Sequence, residues 1–229
     1  MIESTSKQDS PAVAVFARAP EPGKAKTRLS PLLGPEGAAA FQAALLADAL
    51  RKVASLSGIA RYLFVLAGGR LGLAKRSQGN RAYILAGQRG KDLGERLRQA
   101  FHRMLRRHWR VLVMGTDSPE LSPRVLRQAL DELRWCDAVL GPCPDGGYYL
   151  IGLRRLKRGL FHGVRWGTRF AFRDTLRNLI QGHFSCSILE PLLDIDRPGD
   201  FYRLSKRMSR SPQLRRLAPA TWSFVNQHE

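Results

Sequence analysis

Four short polar segments of this 229-residue chain combine residue types and spacings that could do chemistry. The most cationic of them spans residues 18–28. Its four basic residues are Arg18, Lys24, Lys26 and Arg28. Such side chains neutralise phosphates, and Gly23 would let the backbone approach a ligand closely. The segment lacks the glycine spacing and the hydroxyl residue of a Walker A loop, so either a different phosphate site or an ordinary solvated loop fits it.

Acidic residues mark two further segments. Asp117 lies in Gly-Thr-Asp-Ser-Pro at 115–119, directly after an apolar run. Three acids fall within residues 194–200, where the alternation Asp-Ile-Asp could place the carboxylates of Asp194 and Asp196 on one side of an extended segment. Carboxylates of this kind bind Mg²⁺ or Mn²⁺, often together with substrate phosphates. The alternatives are a turn aspartate that caps its own backbone at 117, and pairing with arginines or a helix N-cap for the acids at 194–200.

The fourth segment, residues 144–149, reads Pro-Asp-Gly-Gly-Tyr-Tyr. Asp145 followed by Gly146 and Gly147 permits a tight turn against a ligand, but Asp-Gly is equally a strong hairpin signal. Trp166 and Thr168 precede a helical pattern and could shape a pocket, although a lone tryptophan is more often part of a core.

Strand and helix patterns alternate from residue 12 to about residue 135. Short apolar runs predict strands at 12–17, 61–67, 81–86, 110–114, 137–141, 147–152 and 184–189. Helical spacing predicts a helix over 36–56, another that Asp92 caps, and a third that begins with Ser122 and Pro123. This alternation predicts a parallel sheet with helices on both faces, and ligands of such sheets bind at the carboxyl ends of the strands. The four polar segments described above follow predicted strands, so we expect them to meet at the carboxyl edge of the sheet.

Composition excludes several classes of protein. Hydrophobic residues make up 44% of the chain, which is typical of a globular protein and not of a disordered one. No apolar run is long enough to span a bilayer. The start of the chain has no secretory pattern and the three cysteines lack metal spacing, so we expect a cytoplasmic protein. The 38 basic and 19 acidic residues give a net charge of +19, which indicates an anionic partner or an arginine-rich genome.

Five segments resemble one family when they are taken in order. They are ARAPEPGKAKTRL, DLGERL, GTDSPELSP, PDGGYYLIGL and DIDRPGDF. The sequence is similar to small glycosyltransferases of the nucleotide-diphospho-sugar transferase superfamily, which are related to the DUF2064 domain. The resemblance covers about residues 12–205. The sequence is also similar, more distantly, to guanylyltransferases of the molybdopterin and phospholactate type.

The resemblance implies a GT-A-like, three-layer α/β/α sandwich with a mostly parallel, mixed sheet. It also implies a nucleotide-sugar donor, a divalent cation (Mg²⁺ or Mn²⁺) and a small-molecule or lipid acceptor. The residues that it implies for the donor phosphates are Arg18, Gly23, Lys24, Lys26 and Arg28. The implied metal ligands are Asp117 and Asp196, and Asp145 is the candidate catalytic base. The implied substrate and acceptor pocket is lined by Gly146, Gly147, Tyr148, Trp166 and Thr168.

We therefore expect a flexible N-terminus at 1–11, the transferase domain at 12–205 and a basic C-terminal tail at 206–229. Two alternatives to a glycosyltransferase remain open. One is a nucleotidyltransferase on the same fold, which would release pyrophosphate, although the proline- and lysine-rich loop at 18–28 differs from the glycine-rich loop expected of that class. The other is a binder of nucleic acid or an anionic surface through a basic helix at 96–110 and the tail. We do not expect nucleic acid as the partner, because no stacking-aromatic motif is present.

Overall fold

The computed structural model describes residues 10–66 and 83–228. A seven-stranded sheet forms its centre, in the order β3-β2-β1-β4-β6-β5-β7. The strands are β1 (Ala12–Ala17), β2 (Ala60–Leu66), β3 (Ile84–Gln88), β4 (Val111–Met114), β5 (Ala138–Pro142), β6 (Tyr148–Leu153) and β7 (Cys186–Ile188). All neighbours pair in parallel except β6, which is antiparallel to both β4 and β5. The expected mostly parallel, mixed sheet is confirmed.

Four helices cover the two faces of this sheet. They are α1 (Ser30–Ala54), α2 (Leu93–Leu105), α3 (Pro123–Glu132) and α4 (Ala171–Gln181). On one face, Val13 and Val15 pack with buried residues of α1 and α3. On the other face, Ala12 and Ala14 pack with α2 and with Leu179 of α4. These two apolar layers make the three-layer sandwich that was expected.

Local signals place the starts of two helices correctly. The Asp92 side chain accepts a hydrogen bond from the backbone N–H of Glu95 at the start of α2. Ser122 does the same for Val125 at the start of α3, with Pro123 as the first helical residue. The helix predicted over 36–56 begins earlier, at Ser30, but Gly34 with φ +68° interrupts it before Pro35. This break separates a short first turn from the long helix that was predicted.

The predicted basic tail, 206–229, is instead largely helical. The chain forms α5 (Pro198–Arg210), α6 (Pro212–Leu217) and α7 (Pro219–Val225), each with a proline in its first turn. Phe201, Leu204 and Met208 form a third apolar cluster with Phe41 and Leu45 of α1. The sequence shows no clear helical pattern here, because these apolar residues are diluted among many arginines. The C-terminal helices therefore pack on α1, which lies against the sheet.

Some predictions lie outside the described residues. These are most of the predicted N-terminal segment (residues 1–9), the last residue of the strand predicted at 61–67 and the first two of the strand predicted at 81–86. Within the described parts of the chain, no helix combines the length and apolarity needed to cross a bilayer.

Candidate functional site

The four polar segments singled out in the sequence meet at the carboxyl edge of the sheet. Residues 18–28 follow β1, residues 115–119 follow β4, and residues 143–147 join β5 to β6. The N–H of Gly115 donates to the carbonyl of Tyr149 (3.0 Å), which holds residues 115–119 beside the hairpin between β5 and β6. The N–H of Ile195 donates to the carbonyl of Asp117 (2.9 Å), which brings in the segment after β7. The fold therefore collects at one edge the residues that the sequence scatters.

Asp117 is oriented by a chain of hydrogen bonds that begins in α1. The Gln42 side-chain amide donates to the hydroxyl of Thr116 (3.0 Å). That hydroxyl donates to Oδ1 of Asp117 (2.9 Å). Gln42 and Thr116 are buried, whereas Asp117 is partly exposed. The buried Gln42 and Thr116 side chains thus fix the carboxylate, whose exposed side remains accessible to a ligand.

Lys26 lies under this carboxylate rather than out in the solvent. Its ammonium nitrogen is 3.0 Å from Oδ1 of Asp117 and donates to the carbonyl of Ile195 (2.6 Å). Its side chain is only 3% exposed, and its backbone has the left-handed φ of 48°. Lys26 therefore ties together the loops after β1, β4 and β7. Its side chain has little surface left for a phosphate.

Asp194 is the acidic residue that the structure turns towards Asp117. Its Oδ1 accepts a hydrogen bond from the Ser118 hydroxyl. Burial and then the negative charge of Asp117 raise the pKa of Asp194 to about 6, Asp145 adds to the rise, and the Ser118 bond and Lys26 oppose it. Both Asp194 and Asp145 also raise the pKa of the Cys143 thiol, after burial. Three carboxylates, Asp117, Asp145 and Asp194, thus share one electrostatic environment.

Asp196 takes a different position from its neighbour. Its Oδ2 accepts a hydrogen bond from the guanidinium of Arg28, and both side chains are substantially exposed. The run Asp194-Ile195-Asp196 was recognised in the sequence, and Asp196 was taken from it as the metal ligand. The sequence holds no signal that would have selected Asp194, because the choice depends on Ser118 and Asp117, more than 70 residues away.

The remaining cations of residues 18–28 lie at the surface. Lys24 is 73% exposed and pairs with Glu21 (2.9 Å). Arg18 is exposed at the end of β1. Gly23 has the left-handed φ of 72° and open space around it. Arg18 and Lys24 are therefore the cations of this loop that a phosphate could reach with the least rearrangement.

Asp145 lies in the expected hairpin turn between β5 and β6. Its Oδ1 accepts a hydrogen bond from the N–H of Gly147 (2.9 Å), and the side chain is exposed. Gly146 has φ +88°, and a Cβ there would lie 2.1 Å from the carbonyl oxygen of Arg169. The glycine thus allows the turn to press against the segment before α4. The hairpin alternative and a functional role for Asp145 are compatible.

The predicted pocket aromatics lie beneath this turn. Tyr148 and Trp166 meet edge to face, with ring centroids 6.3 Å apart. Trp166 covers Gly94 in the first turn of α2, where a Cβ would lie 2.7 Å from the indole nitrogen. Thr168 makes local hydrogen bonds: its hydroxyl donates to the carbonyl of Arg165 and accepts from the N–H of Phe170. Tyr148 and Trp166 therefore join the DLGERL helix to the hairpin, and Thr168 shapes the turn before α4.

The fit of a divalent cation can be judged from the acidic residues. Within residues 10–66 and 83–228, no three Asp, Glu, His or Cys side chains lie close enough to hold a metal ion by themselves. Asp117 and Asp194 are nevertheless close enough for one charge to raise the pKa of the other. Mg²⁺ is commonly held by one or two carboxylates together with substrate phosphates and water. The residues present fit that arrangement and do not fit an all-protein metal cage.

Solved structures share this architecture. A protein from Desulfovibrio desulfuricans, provisionally named a nucleotide-diphospho-sugar transferase, is 29% identical over 96% of this chain and 99% of its own, with a TM-score of 0.84. A 4-diphosphocytidyl-2C-methyl-D-erythritol synthase from Anaerococcus prevotii is 12% identical, with 88% and 97% of the two chains covered and a TM-score of 0.60. The inositol-1-phosphate CTP transferase of T. maritima is also 12% identical, with coverage of 94% and 98% and a TM-score of 0.57. The last two similarities concern the fold alone.

No curated protein matches the chain significantly. A family model does match it, over residues 49–168, which is more than half of its length. The matched stretch includes the loop with Asp117 and the hairpin with Asp145. The chain therefore belongs to DUF2064, a family described as uncharacterised proteins conserved in bacteria.

Proposed function

We propose that this protein is a metal-dependent glycosyltransferase that moves a sugar from a nucleotide-diphospho-sugar donor to an acceptor. The observation that carries the proposal is the position of Asp117 and Asp194 beside the cationic loop at the carboxyl edge of the sheet, where Lys26 holds Asp117 and Ser118 holds Asp194. Ligands of open α/β sheets bind at this edge. The name of the Desulfovibrio protein, similar along almost the whole chain, points in the same direction.

The donor diphosphate would lie between the loop and the acidic residues. Arg18 and Lys24 would neutralise its phosphates, and Asp117 and Asp194 would hold the divalent cation with phosphate oxygens as further ligands. When bound, the cation would stabilise negative charge on the leaving nucleoside diphosphate. Lys26 keeps Asp117 in place and lowers the cost of bringing two carboxylates together.

Asp145 is suited to act on the acceptor. One of its oxygens is held by the N–H of Gly147, and its side chain is exposed at the tip of the hairpin. If the reaction inverts the configuration of the sugar, this carboxylate would take the proton from the acceptor hydroxyl. Tyr148 and Trp166 would support the hairpin from below rather than touch the acceptor.

A thermal-unfolding panel tests the proposal. UDP-, GDP- and dTDP-sugars, nucleoside triphosphates and a short DNA duplex are added with and without Mn²⁺. A ligand at 100 times its Kd should stabilise the protein by about 2.7 kcal/mol. We expect this for a nucleotide sugar in the presence of Mn²⁺, and we expect Asp117→Asn to abolish it. Asp131→Asn, an exposed carboxylate on α3, is the matched control and should keep the effect.

Product analysis then separates the two transferase classes. Release of a nucleoside diphosphate from the stabilising nucleotide sugar supports glycosyl transfer. If the sugar's configuration is inverted in the product, Asp145→Asn should lower kcat by about 10²–10⁴ with little change in KM. Release of pyrophosphate from a nucleoside triphosphate would instead identify a nucleotidyltransferase and overturn the proposal. Stabilisation by DNA alone, falling steeply with salt, would overturn both.

A further inference from the structure

The edge of the sheet opposite the candidate site exposes large apolar side chains. Trp135 is 85% exposed and Trp109 is 53% exposed. Trp109 lies two residues before β4, and Trp135 lies three residues before β5. The strand register pairs Val111 with Leu153 and Leu153 with Ala138, so the starts of β4 and β5 lie in one row with the end of β6. Both tryptophans therefore lie at the amino edge.

A third exposed apolar side chain lies at the same edge of the sheet. Ile180, at the end of α4, is 63% exposed, and the chain runs from it into β7 at the same edge. Among the large hydrophobic residues of the described chain, Trp135 and Ile180 are the two most exposed. Single exposed apolar residues need no explanation, but several on one edge are typical of an interaction surface.

Basic residues are frequent in the segments that carry the two tryptophans and in the loop after β6. Eight of them lie in three segments, 106–110, 131–137 and 153–158. They are Arg106, Arg107, Arg110, Arg134, Arg154, Arg155, Lys157 and Arg158. The same segments contain only three acids, and one of these, Asp137, is already held by the guanidinium of Arg155 (2.9 and 3.0 Å). The edge is therefore strongly positive.

The ends of helices explain part of this charge. Cations are favoured at helix C-termini, and α2 and α3 both end at this edge. Arg110 donates to the carbonyl of Leu130 (3.3 Å), and Arg154 donates to that of Arg134 (3.1 Å). Neither the helix ends nor these carbonyl bonds account for Lys157 and Arg158, which lie in the loop after β6. They also do not account for the exposure of the Trp135 indole.

We propose that this amino edge docks the protein on the surface of an anionic lipid bilayer. Trp109, Trp135 and Ile180 would lie at the level of the headgroups, where indoles are preferred, and the cations around them would meet anionic lipids. A second copy of the chain is disfavoured by charge repulsion between two such edges. Nucleic acid also offers phosphates, but an aliphatic side chain such as Ile180 has no ring face on which a base could stack. Docking would leave the candidate site facing the water.

Vesicle sedimentation with the full chain tests this proposal. The probes are vesicles of phosphatidylcholine alone and of phosphatidylcholine with about one-third phosphatidylglycerol. We expect binding only to the anionic vesicles. Trp135→Ala combined with Ile180→Ser, and separately Lys157→Gln combined with Arg158→Gln, should each lower the partition coefficient by about tenfold or more.

Matched controls change similar residues away from this edge. Tyr202→Ala replaces an aromatic side chain of α5 that is 59% exposed, and Lys206→Gln with Arg210→Gln removes two positive charges from the same helix. These variants should keep vesicle binding, and thermal unfolding checks that every variant is folded. Failure to bind anionic vesicles, or an equal loss in edge and control variants, would overturn the proposal. So would tight binding of a single-stranded oligonucleotide that the edge variants abolish while vesicle binding stays intact.

Discussion

At the scale of single residues, the structure holds Asp194 where its negative charge is costly. Burial and Asp117 raise its pKa from 3.8 to about 6. A carboxyl whose pKa is higher in the folded than in the unfolded protein favours folding when it is protonated, so this contribution is lost as pH rises from about 4 to 6. We therefore predict that Asp194→Asn raises the free energy of unfolding at pH 7 by roughly 1–3 kcal/mol.

Chemical denaturation of wild type and variant at pH 4 and pH 7 measures this effect. The difference should shrink at the lower pH, where the wild-type carboxyl is protonated. Asp196→Asn is the matched control, because Asp196 forms an exposed pair with Arg28 and should change stability by less than about 1 kcal/mol. An Asp194→Asn variant that is less stable than wild type at pH 7 would contradict the pKa shift. If the variant is more stable but is no longer stabilised by nucleotide sugar and Mn²⁺, the wild-type Asp194 lowers the stability of the fold and is needed for ligand binding.

At the scale of elements, one buried carboxylate joins the C-terminal helices to α1. Asp48 accepts hydrogen bonds from the N–H groups of Ala220 and Thr221 and from the Thr221 hydroxyl, at 2.8–3.2 Å. It also faces Lys52, whose pKa burial lowers to about 8. We predict that Asp48→Ala costs about 2–4 kcal/mol, because it uncaps α7 and leaves buried donors without a partner.

Urea unfolding followed by circular dichroism tests this prediction. Asp131→Ala removes an exposed helical aspartate that faces Arg134 at 3.7 Å, so its effect should stay within about 0.5 kcal/mol. Equal effects of the two substitutions would show that α7 contributes little to the fold. An early transition in Asp48→Ala, before the sheet unfolds, would instead show that the C-terminal helices form a separate unit.

Elements were predictable where their signals are local. The caps at Asp92 and Ser122 and the Asp145-Gly146 turn each depend on a few adjacent residues, and all three are confirmed. The helix after residue 198 was foreseen only as the N-cap alternative for the acids at 194–200, and the helices after residue 211 were not predicted, because their apolar residues are separated by arginines and become a pattern only against Phe41 and its neighbours. The role of Lys26 was equally hidden, since only the folded chain brings Asp117 and the carbonyl of Ile195 to it.

At the scale of the whole molecule, the net charge of +19 is spread unevenly, and the two ends of the sheet differ in their charge balance. At the carboxyl edge, Lys26 and Arg28 face Asp117 and Asp196. At the amino edge, eight cations face three acids. The excess positive charge is therefore a weaker guide to the candidate site than to the surface at the opposite edge of the sheet.

This excess charge predicts how salt affects stability. Repulsion among the cations destabilises the compact state, and salt screens it over a Debye length that shrinks from about 30 Å at 0.01 M to about 10 Å at 0.1 M. In several of the ion pairs that salt would weaken, both side chains are at least a quarter exposed, and each of these pairs contributes at most about 1 kcal/mol. We predict that the thermal unfolding midpoint rises by several degrees between these concentrations of sodium chloride, whereas sucrose at matched osmolality has a smaller effect. A midpoint that falls with added salt would mean that attraction within the ion pairs exceeds the repulsion among the cations, so that the arginines stabilise the fold on balance.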